Sequence, residues 1–187
     1  MRWDALFADL EARWAGESSV ELERDIAEAT RFEQGAVGLS DRLRAQIGDP
    51  LLLMLPGGYS VNVELKAVGP DWLAGADGHQ GVVVPLSALQ SVSGLGRRAQ
   101  QERSAVRQRL GLSSVLRSMM RDRAVVEIRG SSAEVIVHGL LVGVGSDHLE
   151  VARTVSGEVP RLRGTRGVRV VPFSAVCEVR ADGDLVS

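Results

Sequence analysis

The sequence predicts a mostly β protein: an N-terminal α-helical segment followed by two tandem small β-barrels. Three observations predict it. Two stretches of the chain carry the same ordered pattern of apolar runs and turns. Within each stretch the runs are short and bounded by Gly, Asp and Pro, which are strand lengths and turn residues rather than helix features. The first 34 residues instead place their apolar side chains at helical spacing.

Residues 3–34 form the predicted helical part of an acidic segment spanning 1–36. Trp3, Leu6, Phe7, Leu10 and Trp14 make one apolar stripe. Gly16 weakens the middle, and Ser18 with Glu21 makes a capping box that restarts the helix. Leu22, Ile26 and Ala29 carry the stripe on to a stop at Gly35. Nine acids stand against four arginines in this segment. That balance is a poor match for anionic lipid. Trp3, Phe7 and Trp14 are therefore candidate partner-interface residues, packing on the barrels, on another protein or on a second subunit.

The repeat follows. Leu39-Ser40-Asp41-Arg42-Leu43-Arg44 parallels Leu112-Ser113-Ser114-Val115-Leu116-Arg117. The apolar run Leu51–Leu55 parallels Ala124–Ile128, and Gly57 parallels Gly130. Val68-Gly69-Pro70-Asp71-Trp72-Leu73 parallels Val144-Gly145-Ser146-Asp147-His148-Leu149. Val83-Val84-Pro85-Leu86-Ser87-Ala88-Leu89 parallels Val170-Val171-Pro172-Phe173-Ser174-Ala175-Val176. The offset grows from 73 to 76 to 87, so the second copy has longer loops. Each copy predicts a short capped helix and about five strands, with the Val-Pro-x-Ser-Ala step as a one-turn corner. Closing the strands into a barrel would remove exposed edges. The predicted layout is a first barrel over 39–93, an Arg/Gln-rich helical linker over 94–111, a second barrel over 112–181 and a tail over 182–187.

A capped helix, five strands and the step His138-Gly139-Leu140-Leu141-Val142-Gly143-Val144-Gly145-Ser146-Asp147-His148-Leu149 resemble the Sm-like barrels, chiefly the bacterial ones. The resemblance covers roughly 45–92 and 114–180. It implies SH3-like five-stranded barrels and RNA binding through loops around a ring pore. Two motif positions differ: the Met-Asn of the first Sm motif is absent, and Pro85-Leu86-Ser87 and Pro172-Phe173-Ser174 replace the Arg-Gly of the second. The whole chain also resembles an actinobacterial family of the same size, sometimes labelled Fis-type transcriptional regulators. Residues 106–119 have the apolar spacing and central Gly of a helix-turn-helix, a DNA-binding alternative over 103–121. Arg107 stands where that motif needs a small residue, and Leu112 to Arg117 is equally the counterpart of Leu39 to Arg44.

Composition sets the outer limits. The chain has 187 residues, 44% hydrophobic and 25% charged, as globular proteins do. One cysteine, Cys177, allows neither an internal disulfide nor a multi-cysteine metal site. Acids interrupt the N-terminal apolar residues too early for a signal peptide, and no run has the length of a membrane span. The expectation is a cytoplasmic protein with no membrane partner. Lys66 is the single lysine among 22 basic residues, which suggests a GC-rich bacterial genome. Residues 1–96 carry a net charge of −7 and residues 97–180 one of +7, an asymmetry that suggests different partners for the two halves.

The chemistry-bearing candidates are few. Gly94-Leu95-Gly96-Arg97-Arg98-Ala99 has the spacing of a dinucleotide fingerprint, but no βαβ pattern surrounds it and no acid follows at the required distance. His138, His148 and Cys177 fall on different predicted strands, and Asn62, Trp72 and Gln90 take their places in the first copy. A structural role fits them better than metal binding. No catalytic residues and no cofactor are expected. The sharpest candidate is the loop inserted in the second copy, where Arg153, Arg161, Arg163, Arg166 and Arg169 accompany one acid, Glu158. Guanidinium forks suit phosphate oxygens, so this loop and the linker arginines Arg97 and Arg98 are candidate contacts to an RNA or DNA backbone. The expected function is a non-enzymatic nucleic-acid module, RNA before DNA, with a protein-interaction adaptor as the alternative.

Overall fold

A computed structural model of the protein describes residues 37–153 and 167–182. The helix expected over 3–34, with Trp3, Phe7 and Trp14, lies outside these residues, as do Arg161, Arg163 and Arg166. The chain divides into a unit up to Gly38 and a unit from Leu39 onward, and the fold described is that of the second.

The protein is mostly β. A helix α1 (Leu39–Arg44) leads into β1 (Pro50–Leu55), β2 (Tyr59–Val68), β3 (Trp72–Asp77), β4 (Gln80–Pro85) and β5 (Ser91–Ser93). A second helix α2 (Leu112–Arg121) leads into β6 (Val125–Arg129), β7 (Val135–Val144), β8 (His148–Arg153), β9 (Val168–Pro172) and β10 (Glu178–Asp182). All pairings are antiparallel, and they join ten strands into one open sheet in the order β5-β1-β2-β3-β4-β10-β6-β7-β8-β9. The join between the two sets, β4 against β10, was not indicated by the sequence. It occupies the edge of β4 that would otherwise be free.

Burial patterns explain the strands. Along β1 and β2 the buried positions alternate, as on a strand with one face on the core. Along β4 every residue after Gln80 is buried, because its two faces feed two different cores. Val82 and Val84 join Leu43, Leu51, Leu53, Val61, Val63 and Leu65 in one. Val83, with Trp72 and Ala74 of β3, joins Leu116, Met119, Val126, Ile128 and Leu149 in the other. The unbroken Gly81-Val82-Val83-Val84 run is the sequence trace of that two-sided burial.

The two sets of strands share local geometry. β2 and β3 pair with a bulge between Leu65 and Ala67, and β7 and β8 with one between Leu141 and Gly143. Trp72 stands opposite Pro85, and His148 opposite Pro172. A 3₁₀ turn follows each proline, Leu86–Ala88 and Phe173–Ala175, at the predicted one-turn corners. The Asp71 carbonyl accepts from the Leu86 N–H, and the Asp147 carbonyl from the Phe173 N–H. The glycine of each Val-Gly-x-Asp step is explained by packing. A Cβ on Gly69 would run into the Trp72 indole, and one on Gly145 into the His148 ring. In β1 and β6 the paired geometry matches Leu53 to Ile128, each opposite the valine of its last strand (Val92 or Val179). That is an offset two residues longer than the sequence pattern suggests. The extra residues lie in α2, which is longer than α1.

Candidate functional site

The predicted polar helix over 94–111 is absent. Residues 97–104 are coil, and the stretch has one 3₁₀ turn, Arg107–Arg109. The reason lies in where its backbone groups bond. Arg42 donates from Nη2 to the Gly96 carbonyl at 2.9 Å, and Arg44 from Nη1 to the Gln100 carbonyl at 3.1 Å. The Gln100 N–H donates to the Asp41 carbonyl at 2.9 Å, and Gln108 Nε2 to the Glu102 carbonyl at 2.6 Å. Backbone groups bonded to α1 and to a side chain are unavailable to a helical ladder. The non-helical linker displays Arg97, Arg98, Arg103, Arg107 and Arg109, all exposed, with Glu102 as the acid among them.

Between the linker and the β2–β3 corner lies a groove of about 890 Å3. Arg44, Lys66, Trp72, Glu102, Arg103 and Arg107 line it. Arg44 is buried and held by Asp41 at 2.6 Å, with Glu102 Oε2 at 3.8 Å from its Nε. Lys66 pairs with Glu64 at 2.5 Å. Trp72 closes the far end, its Nε1–H donating to the Leu110 carbonyl at 2.7 Å. Arg103 and Arg107 are thus the exposed cations over a floor whose other charges are paired. Arg44 and Lys66 were missed by the sequence reading. Nothing in their local sequence sets them apart, since the groove forms only where the linker crosses β2.

The second basic region is the β8–β9 hairpin. Arg153 is exposed at the end of β8, and its N–H donates to the Gly167 carbonyl at 3.2 Å. Arg169, on β9, donates to the Ile136 carbonyl. The two arginines flank the root of loop 154–166. The structure does not bring them to Arg97 and Arg98: the linker is bonded to α1 of the first set, whereas the hairpin ends the opposite side of the sheet order.

The loops implied by the Sm-like resemblance are placed differently from the arginines. Pro85, Leu86, Ser87, Phe173 and Ser174 line a pocket of about 430 Å3 together with Asp71, with no basic side chain among its lining residues. The helix-turn-helix alternative lacks its first helix, since residues 103–111 form turns. In α2 the residues Leu112, Leu116 and Met119 are buried, and Arg117 donates to the Gly145 carbonyl at 3.2 Å. After Gly94-Leu95-Gly96 no helix begins over 97–104, so no helix N-terminus is there to hold a pyrophosphate.

The most highly bonded charge cluster sits at the join of the two strand sets. Glu178 on β10 is fully buried. Arg180, two residues on and so on the same face, donates to Glu178 Oε1, Asp77 Oδ2 and the Tyr59 hydroxyl, each at 2.9 Å, and to Gln80 Oε1 at 3.0 Å. Arg129 lies 3.6 Å from Glu178 Oε2 and stacks 5.4 Å over the Tyr59 ring. Burial pushes the Glu178 carboxyl above its ordinary range, against the pull of Arg180 and Arg129. Burial likewise raises the Tyr59 hydroxyl, and the carboxylates around Arg180 hold its guanidinium charged. This cluster clamps β10 to β3 and β4. Its trace in the sequence is an acid and an arginine two apart in a strand whose first-copy counterparts are Ser91 and Ser93.

No family model, curated protein or solved structure matches this chain. His148 Nδ1 pairs with Asp147 Oδ1 at 2.8 Å, which holds the exposed Asp147 carboxyl below its usual range. Cys177 is buried, which raises its thiol. Among the described residues no three His, Cys, Asp or Glu side chains gather as metal ligands would, and no helix is long and apolar enough to cross a membrane. What the described surface offers is a set of exposed guanidinium groups on the linker, with Arg103 and Arg107 lining an open groove, suited to oxyanions.

Proposed function

We propose that the protein is a non-enzymatic tandem module of two Sm-like small barrels that binds nucleic acid, RNA in preference to DNA, through its phosphate backbone. One observation carries the reading. The linker is not helical, Arg97, Arg98, Arg103, Arg107 and Arg109 are all exposed on it, and Arg103 and Arg107 line one groove. A helix would have distributed them around its circumference. The loop bearing Arg161, Arg163 and Arg166, rooted between Arg153 and Arg169, adds a second contact region. Of these, Arg153 is the freer flank, because Arg169 is engaged by the Ile136 carbonyl. The Sm-like reading of each half draws support from the shared bulges and corners and from the two separate cores. The pore-loop mode is set aside, because Asp71 and hydroxyl groups line that pocket.

A protein-interaction adaptor is the second reading, favoured by apolar side chains left exposed on β9, Val168 and Val170. In that reading Trp3, Phe7 and Trp14 supply a further contact.

Fluorescence anisotropy with labelled single-stranded RNA and duplex DNA tests the first reading. Two variants are compared with wild type: Arg97, Arg98, Arg103 and Arg107 all changed to Glu, and Arg161, Arg163 and Arg166 all changed to Glu. Micromolar binding to RNA that the linker variant abolishes and the loop variant weakens is the expected result. Binding unaffected by either variant would overturn the assignment of these arginines, and absence of binding at low salt would overturn the function.

A further inference from the structure

We propose that the groove between the linker and the β2–β3 corner is a binding site for a phosphomonoester, seated on Arg44 in place of the Glu102 carboxylate.

Arg44 carries the site. It is 8% exposed. Its Nη1 donates to Asp41 Oδ1 at 2.6 Å and to the Gln100 carbonyl at 3.1 Å, which fixes the planar guanidinium. Its Nε is buried and has no hydrogen-bond acceptor. Glu102 Oε2 lies 3.8 Å from that nitrogen, beyond hydrogen-bond reach. Glu102 is held through its other oxygen, which accepts from the Ser104 N–H at 2.8 Å. The carboxylate thus stands close enough to pair with the charge of Arg44 but too far to satisfy its donor. Buried donors are seldom left unpaired, and an oxyanion with a third oxygen and a wider reach would pair this one.

The surroundings favour an anion of higher charge than a carboxylate. Arg44, Lys66, Arg103 and Arg107 line the groove against one acid, Glu102. A phosphomonoester carries a charge of about −1.5 to −2 at neutral pH and three acceptor oxygens. A monoester hangs from a single ester bond, so it enters a groove end-on and reaches a buried side chain. A backbone phosphodiester is flanked by chain on both sides and is better suited to the exposed arginines. The body of the ligand meets the apolar side chains of Ile47 and Leu110, both exposed, and of Val68. The groove volume of about 890 Å3 falls among small-molecule sites, about 300–1,000 Å3. Entry requires the Glu102 side chain to turn away from Arg44, and Glu102 stands on coil.

This chemistry has two sources, a small phosphorylated molecule such as a mononucleotide or the phosphorylated end of an RNA strand. The site shares Arg103 and Arg107 with the backbone contacts proposed above but does not rest on them.

The test is calorimetric titration of the full chain with adenosine 5′-monophosphate, its methyl phosphodiester and adenosine. A second arm is anisotropy competition between one short RNA ended in phosphate, 5′ or 3′, and the same RNA ended in hydroxyl groups. The monophosphate is expected to bind about tenfold more tightly than its methyl ester, the worth of one charge-assisted hydrogen bond, and adenosine is expected not to bind. Arg44→Gln should remove the binding. Glu102→Gln keeps an acceptor for the Ser104 N–H and removes the competing charge, so it should tighten binding about fivefold. A disturbed linker cannot produce that gain. Preference for the phosphate-ended RNA would assign the ligand to a strand end, and monophosphate binding without that preference would assign it to a free small molecule. A chain that distinguishes neither monophosphate from methyl ester nor phosphate-ended from hydroxyl-ended RNA would overturn the proposal. So would a Glu102→Gln affinity no higher than that of wild type. Failure of hydroxyl-ended RNA to bind would sink the backbone reading and not this one, because the monophosphate contains no phosphodiester.

Discussion

Arg180 shows how much one side chain is asked to do at the join. Its guanidinium serves two carboxylates, a phenol and an amide from four strands. Arg180→Ala leaves Glu178 buried without its closest cation and is expected to cost about 3–5 kcal/mol of stability in chemical denaturation, in the way that breaking one side of a buried pair does. Glu178 also sets a pH dependence. Its carboxyl titrates above the ordinary value of 4.5, so the folded state holds this proton more tightly than the unfolded chain does. Its contribution therefore falls as pH rises from the ordinary value through the raised one. Glu178→Gln should remove that slope from a plot of unfolding free energy against pH. A second residue-scale prediction concerns the Val-Gly-x-Asp steps: Gly69→Ala and Gly145→Ala each press a methyl onto an aromatic ring and should cost about 1–3 kcal/mol. Those glycines were legible as turn residues. Their rings three positions on were not, because sequence spacing carries no information on which side chain folds back.

At the scale of elements, most strands were legible. Periodic apolar runs bounded by Gly, Asp and Pro became strands, and each Val-Pro-x-Ser-Ala step became a 3₁₀ corner. The linker was not legible. Arg- and Gln-rich sequence has good helix propensity, and propensity was overridden by arginines of α1 that take its carbonyls. Helix α2 carries a prediction against the DNA-binding alternative. Ser114→Ala with Arg117→Ala should leave nucleic-acid affinity unchanged in the anisotropy assay, since Arg117 is bonded to the Gly145 carbonyl and the preceding helix of a helix-turn-helix is not formed. The linker arginines gain their significance from a backbone that is not helical. Their composition was readable in advance, whereas the groove that Arg103 and Arg107 line was not.

For the molecule as a whole, the tandem pattern in the sequence suggested two separable barrels, and the pairing gives one continuous sheet with a shared wall. β3 and β4 supply residues to both cores, so neither half can lose its packing without disturbing the other. The region from Leu39 to Asp182 is therefore expected to unfold in a single cooperative step, with β-sheet circular dichroism and hydrogen exchange at Val83 and Val179 reporting the same midpoint. Two separated transitions would contradict the shared wall. The unbroken apolar run of β4 is buried almost throughout and the Arg-interrupted β9 is mostly exposed, in keeping with β4 having a neighbour on both edges.

The measurement that tests the functional account most directly is the salt dependence of RNA binding. Each phosphate contact on a single strand contributes about 0.7 to the slope of log affinity against log salt concentration. If four linker arginines each meet one phosphate, replacing all four with glutamine should lower the magnitude of that slope by about 3. A slope that steep in wild type and reduced by that much in the variant is the predicted result. An affinity that hardly changes with salt, or a slope the variant leaves intact, would contradict it.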